Sequence, residues 1–373
     1  MDSTTGSTTG STAAPFPTIA LVDVRDGGPV RHARERAAVA QSLRNDCLAW
    51  FHPAAVALLP FLDRMARRWL ERSDAPYVAD IEAIAAALGF PGVWLLNGSY
   101  QWGCTALARD EAGAPWLART LDWPFPGLGR NAEVAHQRGA AGDYFSVTWP
   151  GYVGVLTAMA PGRFAASINQ APLWRRTTHP RLRVYDIAAN ALNTWRHIRH
   201  VPPDQLLRAV FEDCDDFAAA RRRLETTPIA RPVIYTLAGV RPGEHCVIER
   251  TEEGFSTRAT ATCAANDWQE SRDGWEGRVG ADVVMTCSRE EAGAASRRRR
   301  DALAGWSGMF GGDSFGWVVP PVLNRFTRLA IEMCVASGTL RVVGYECEPG
   351  AAEARRATQV TSVGAPALAP TAA

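Results

Sequence analysis

The step Gly103-Cys104-Thr105, inside NGSYQWGCTALARD, puts a thiol directly after the least obstructive residue type. Cleavage of the Gly103–Cys104 bond would give Cys104 a free α-amine. Such a cysteine carries nucleophile and base in one residue, because an amine of pKa about 8 can take the thiol proton near neutral pH. Glycine at 103 also permits the strained backbone that thiol attack on the preceding carbonyl needs. A turn centred near Ala112 would make a hairpin that brings Arg119 within a pair of residues of Cys104, on the same face. Arg119 then offers a fixed fork of donors, and Asp122 can hold the amine or the arginine. A spacing of three puts Arg119 and Asp122 on opposite faces of a flat strand. The strand is therefore expected to end or bulge before Asp122, beside Trp123-Pro124. The same residues fit a buried core cysteine next to a structural ion pair, and taken alone they leave both readings open.

Other constellations compete. GDSFG, Gly312 to Gly316, matches a nucleophile elbow with Ser314 as nucleophile. That motif needs a strand before it and a helix after it, whereas here a glycine-rich loop precedes it and WVVPP follows. His197 and His200 stand one helical turn apart and could share a metal. Arginines flank them and no acidic partner is adjacent, so a polar helix face is expected. The seven histidines form no local pattern of the papain kind with a cysteine.

The elements that must position these residues follow from periodicity. Helices are expected over about 33 to 90, where apolar residues recur at helical spacing. GVWLLNGSYQW and CTALARD read as strands, DEAGAP as a turn and PWLARTLDW as the return strand. Further strands lie in DYFSVTWPGYVGVLTAMAPGRFAASIN. Three helices follow in VYDIAANALNTWRHIRH, PDQLLRAVFEDC and DFAAARRRLETT. PVIYTLAGV and HCVIERT are strands, then come a helical stretch around Arg299 to Leu303 and the strands FTRLAIEMC and TLRVVGYEC. Strands in runs and helices in separate runs point to α+β with layered sheets.

Composition removes several classes. With 373 residues, 47% hydrophobic, the chain can bury a large core. A net charge of +1 lacks the global basic bias of a nucleic-acid binder, and Arg297 to Arg300 is a local run. No apolar stretch is long enough for a membrane span. The eight cysteines contain no CxxC pair and read as thiols. The Asn97 sequon carries weight only in a secreted chain. MDSTTGSTTGSTAAPFPT has neither the basic nor the apolar part of a secretory signal, so the expected location is cytoplasmic. Residues 1–18 are expected to form a disordered tail and 351–373 a frayed one.

CTALARDEAGAPWLARTLDWPF resembles the start of the mature chain in the acid ceramidase and N-acylethanolamine-hydrolysing acid amidase family. These are N-terminal-nucleophile (Ntn) cysteine hydrolases related to choloylglycine hydrolase and penicillin acyltransferase. Similar segments follow in family order: GYVGVLTAMAPGRFAASINQ, LETTPIARPVIYTLAGVRPGEHCVIERT, AANDW, and PPVLNRFTRLAIEM with GTLRV. The resemblance runs from about Val93 to Cys347. It implies an αββα sandwich made as a precursor that cuts itself, with 19–103 as a helical pro-segment and 104–350 as the catalytic domain. Cys104 would be nucleophile, and its new amine the base. Arg119 and Asp122 would position amine and substrate, Asn266 would stabilise the oxyanion, and Arg299 matches a late family arginine. No cofactor is implied. The implied partners are a small N-acyl amide substrate and the chain's own cleaved N-terminal segment. Three departures stand out. Thr120 replaces the usual Asn after the arginine. Gln170, following Asn169, replaces a Glu in the substrate or maturation loop. The segment between Asn266 and Arg299 is longer than in the family.

Overall fold

The computed structural model describes residues 15–98, 103–260 and 262–364. Strand β1 (Ala20–Asp23) leads into six helices: α1 (Gly28–Glu35), α2 (Ala37–Leu48), α3 (Pro53–Ala57), α4 (Leu59–Leu70), α5 (Val78–Leu88) and α6 (Val93–Gly98). Next come β2 (Gly103–Glu111), β3 (Ala114–Asp122), β4 (Glu133–Gly139), β5 (Gly142–Thr148), β6 (Thr157–Ala160), β7 (Phe164–Gln170) and β8 (Leu173–Trp174). Helices α7 (Arg183–His197), α8 (Pro203–Asp213) and α9 (Phe217–Thr226) precede β9 (Val233–Ala238), β10 (His245–Arg250), β11 (Phe255–Arg258), β12 (Cys263–Ala264) and β13 (Trp275–Glu276). The chain ends with α10 (Arg289–Ala304), β14 (Thr327–Cys334), β15 (Thr339–Glu346), β16 (Arg355–Arg356) and β17 (Thr361–Val363).

Two sheets stack face to face. One has the order β1-β4-β5-β6-β7-β9-β10-β11, and the other runs β12-β2-β3-β14-β15 with β16 and β17 on β15. Alternation along β2 and β3 explains the layering. Cys104, Ala108, Leu117 and Leu121 point into the core between the sheets, while Leu107 and Ala118 point toward α10 and Leu303. Helices α8 and α9 cover the outer side of the first sheet, so the layers read α-β-β-α. Each buried Leu or Val on these faces stabilises by about 1.5–3 kcal/mol.

The β2–β3 connection is a two-residue turn. Glu111 pairs with Ala114, and both Ala112 (φ 50°) and Gly113 (φ 81°) are left-handed. This is the turn geometry whose twist matches the flanking strands. The expected helices at 183–226 and the helix holding Arg299 are present.

Four expectations are corrected. Val93–Gly98 is helix rather than strand, because an apolar run this short has no decisive period. Its Asn97 donates to Val93 O and Gly151 O and accepts from Val153 N, so the sequon asparagine is buried. The rest of that run, 99–102, lies outside the described residues. The N-terminal segment is not purely helical, since β1 pairs in parallel with β4 at the edge of the first sheet. The C-terminal stretch is tied down as far as Val363: β16 and β17 pair with β15, and Gln359 N donates to Pro17 O. Finally, His197 is the last residue of α7 and His200 lies beyond it, so the two do not share a helix face.

Candidate active site

The site is built on the hairpin register. Cys104 faces Leu121, Ala106 faces Arg119 and Gly103 faces Asp122. Arg119 therefore lies two positions from the partner of Cys104 and on its face, as the sequence predicts. Cys104 is fully buried, and Arg119 donates from Nη2 to its Sγ at 2.5 Å. The guanidinium also donates from Nη1 to Thr157 Oγ1 at 2.5 Å and from Nη2 to Ile168 O at 3.3 Å. Arg119 is 0% exposed, and among the described residues no carboxylate lies within ion-pair distance of it. A buried cation without an anion is costly in a low-dielectric interior. The nearest group able to become one is the Cys104 thiol. Burial pushes that thiol up to about 11, against the pull of the Arg119 charge.

The backbone nitrogen of Cys104 is held as well. It donates to Asn266 Oδ1 at 2.9 Å, and Arg299 Nη2 donates to the same oxygen at 2.8 Å. Two obligate donors fix which end of the Asn266 amide faces Cys104. Asn266 Nδ2 donates to Gln170 O at 2.9 Å. Arg299, from α10, also reaches Thr105 Oγ1 at 3.3 Å, on the opposite face of β2 from the Cys104 thiol. Asn169 donates to the carbonyls of Ala264 and Ala265, which ties the end of β7 to β12 and the segment after it. A Cβ on Gly103 would come within 3.2 Å of the Asp122 Cβ, which explains the glycine.

Asp122 departs from one of its two expected roles, the pairing with Arg119. Its carboxylate accepts from Thr327 Oγ1 (3.0 Å) and Asn324 Nδ2 (3.1 Å), and no ion pair with Arg119 forms among the described residues. Strand β3 also runs through Asp122 without bulging. The irregularity lies on the neighbouring strand, where the register shifts between Thr327 and Leu329. β3 therefore keeps its alternation, and Asp122 stays on the face opposite Arg119.

Gly103, Asp122, Gln170, Asn266 and Arg299 line a cavity of about 190 Å³. A second cavity of about 290 Å³ adjoins it through Gln170, Leu173, Ile187 and Arg278. Sequence reasoning missed Thr157, Asn324, Thr327 and Arg278, none of which carries a motif of its own. Ser314 is exposed on a loop; among the described residues no strand leads into Gly312 and no helix leaves Gly316, so the elbow geometry is missing. Among the described residues no three His, Cys, Asp or Glu side chains gather as a metal site, and no helix is long and apolar enough to cross a membrane.

No family model matches the chain. It is 29% identical to rabbit (Oryctolagus cuniculus) N-acylethanolamine-hydrolyzing acid amidase over 59% of its own length and 58% of that protein. To bovine (Bos taurus) acid ceramidase it is 24% identical, over 52% of each chain. The solved Caenorhabditis elegans N-acylethanolamine-hydrolyzing acid amidase ortholog superposes with a TM-score of 0.46 at 16% identity, covering 62% of this chain and 93% of that one. The chain thus spans a little over half the length of the curated relatives named here. The chain is similar in sequence to N-acylethanolamine-hydrolyzing acid amidases and acid ceramidases over about half their length.

Proposed function

We propose that the chain is a self-cleaving cysteine amidase that hydrolyses a linear amide bond of an N-acyl compound through a thioester on Cys104. One observation carries the reading: a fully buried cation with no carboxylate partner among the described residues donates to the Sγ of the same cysteine whose backbone nitrogen Asn266 holds. A structural core cysteine needs neither feature.

In the uncut chain the Cys104 sulfur attacks the Gly103 carbonyl carbon. A C–S bond forms, the Gly103–Cys104 C–N bond breaks, and the nitrogen leaves as an α-amine after taking a proton. Water then cleaves the thioester, leaving a carboxylate on Gly103 and a free thiol. In each later turnover the amine takes the thiol proton and the thiolate, held by Arg119, attacks the substrate carbonyl. The ammonium protonates the leaving nitrogen and water releases the acid. The net reaction is amide plus water to acid plus amine.

The geometry supports Asn266 as the group that orients the Cys104 nitrogen. The oxyanion role expected of it needs an N–H aimed at the reacting carbonyl, whereas Nδ2 donates to Gln170 O here. A donor in that role is worth about 3–4 kcal/mol. Gln170 cannot titrate, so this position supplies no acid trigger for processing. The N-terminal segment is proposed to stay attached after cleavage. β1 completes a sheet edge, His32 and Arg36 grip Glu133, and Arg208 reaches Asp80. Eight unpaired cysteines suit a reducing compartment, which supports a cytoplasmic location.

The test is the intact mass of purified protein, with N-terminal sequencing and release of amine from N-lauroylethanolamine. The expected result is two pieces, the larger beginning at Cys104. A fully active single chain would remove the N-terminal-amine mechanism.

A further inference from the structure

Arg278 stands on the boundary between the two cavities and lines both. Its backbone N donates to Asn266 O at 3.1 Å, so it is fastened directly to the residue that holds the Cys104 nitrogen. Among the described residues its side chain makes one hydrogen bond, from Nε to Ala171 O at 3.0 Å. Both Nη groups are without a partner among the described residues, and no carboxylate there lies within ion-pair distance. The other arginines on these walls are occupied, and Arg231, on the larger cavity, lies over the Trp69 ring. Arg183 bonds Glu276, Arg299 bonds Asn266 and Arg176 bonds Asn190. Burial, with repulsion from Arg231, pushes the Arg278 guanidinium down to about 10, so a ligand anion would be welcome beside it.

The carboxylates nearby do not fill that place. Asp122 is held by Thr327 and Asn324. Glu252, on the larger cavity, has its carboxyl pushed up by burial, toward the neutral form. The unfilled fork therefore faces open space next to the reaction centre, and a guanidinium fork matches a carboxylate two bonds at a time. Leu173, Ile187, Trp174 and Trp275 supply an apolar wall to the larger cavity, suited to an acyl chain.

We infer that the substrate is an N-acyl amino acid, whose free carboxylate binds the Nη groups of Arg278 while the acyl chain lies along the apolar wall. This rests on the amidase reading above. An amino-acid carboxylate sits one carbon from the amide nitrogen, which matches a cation joined by backbone to the residue that orients Cys104. A neutral ethanolamide leaves the guanidinium unpaired, and a charge-assisted pair is what such a site selects by.

The experiment compares N-lauroylglycine with its neutral isostere N-lauroylglycinamide, followed by release of free amine from self-cleaved protein. The expected result is a kcat/KM about ten- to a hundredfold higher for the anionic substrate, carried mainly by KM. Arg278→Gln should collapse that ratio toward one, and Arg278→Lys should restore part of it. The wild-type ratio stands even where a variant fails to fold. Turnover of N-lauroylglycinamide at an equal or higher kcat/KM would overturn the carboxylate inference and leave the amidase reading in place. A wild-type preference that Arg278→Gln keeps would overturn the assignment to Arg278. No turnover of either substrate by cleaved protein would remove the amidase reading and this inference with it.

Discussion

Arg175 and Arg119 are both buried arginines, 5% and 0% exposed, yet they are satisfied in different ways. Arg175 donates to Asp186 at 2.7 Å and to both oxygens of Glu276, and Arg183 bonds the same Glu276 at 2.6 Å. This network ties α7 to β8 and β13 beside the cavities. Among the described residues Arg119 has only a threonine hydroxyl, a carbonyl and the Cys104 sulfur. A buried cation matched by carboxylates belongs to the architecture. On the proposed mechanism, one left without them keeps its field available for a charge that forms only during reaction.

Four experiments break or sharpen that contrast. The largest effect belongs to the thiol that Arg119 faces. Cys104→Ala should leave the chain whole and abolish amide hydrolysis. Cys263→Ala, whose thiol is also buried but bonds Arg300 O, should still self-cleave and turn over. A cut, active Cys104→Ala protein would discard the mechanism.

Next come the two arginines, compared in the uncut Cys104→Ala background so that unfolding involves one chain. Arg175→Met leaves Glu276 and Asp186 short of a partner and should lower stability by about 3–5 kcal/mol, read from denaturant unfolding. Arg119→Met should change stability by no more than about 1 kcal/mol in that background. With Cys104 restored, it should reduce kcat about 10²- to 10³-fold. Equal destabilisation by both would make Arg119 a structural cation.

The network also sets a pH dependence. Burial pushes the Asp186 carboxyl up, but the bonds from Thr177, Arg176 and Arg175 outweigh it and hold it below the usual range. A depressed carboxyl contributes stability above its unfolded pKa of about 3.9, and that contribution is lost as pH falls through the folded value. The stability gap between the parent and Asp186→Asn should therefore be flat from about pH 5 to 8 and shrink below about pH 4. A gap that grows in acid would reverse the sign of this account.

The smallest effect is expected at Ser314. Ser314→Ala, on an exposed loop, should leave hydrolysis within about twofold and stability within about 0.5 kcal/mol. A large loss of activity would revive the serine-hydrolase alternative.

The β2–β3 hairpin was legible before the structure because its information is local. DEAGAP is a turn signal, and a period of two then carries Arg119 to the face of Cys104 with no knowledge of the rest. The layered α+β class and the helices at 183–226 were legible for the same reason, since each writes its own period. Val93–Gly98 was misread because six residues contain less than two helical turns.

β1, β16 and β17 are short strands at sheet edges, where partners more than a hundred positions away in β4, or across a loop in β15, supply the hydrogen bonds. Nothing within four, two or three residues can announce such pairing. The site divides along the same line. Gly103, Cys104 and Arg119 follow from one turn and one alternation. Asn266 and Arg299 could be named from resemblance, but that they share an oxygen with the Cys104 nitrogen depends on α10 lying across β2. Which arginine is paired and which is not depends on where Glu276 and Asp186 come to rest. Charge matching in a low-dielectric interior is a property of assembled neighbours, and the order of residues along a chain does not contain it.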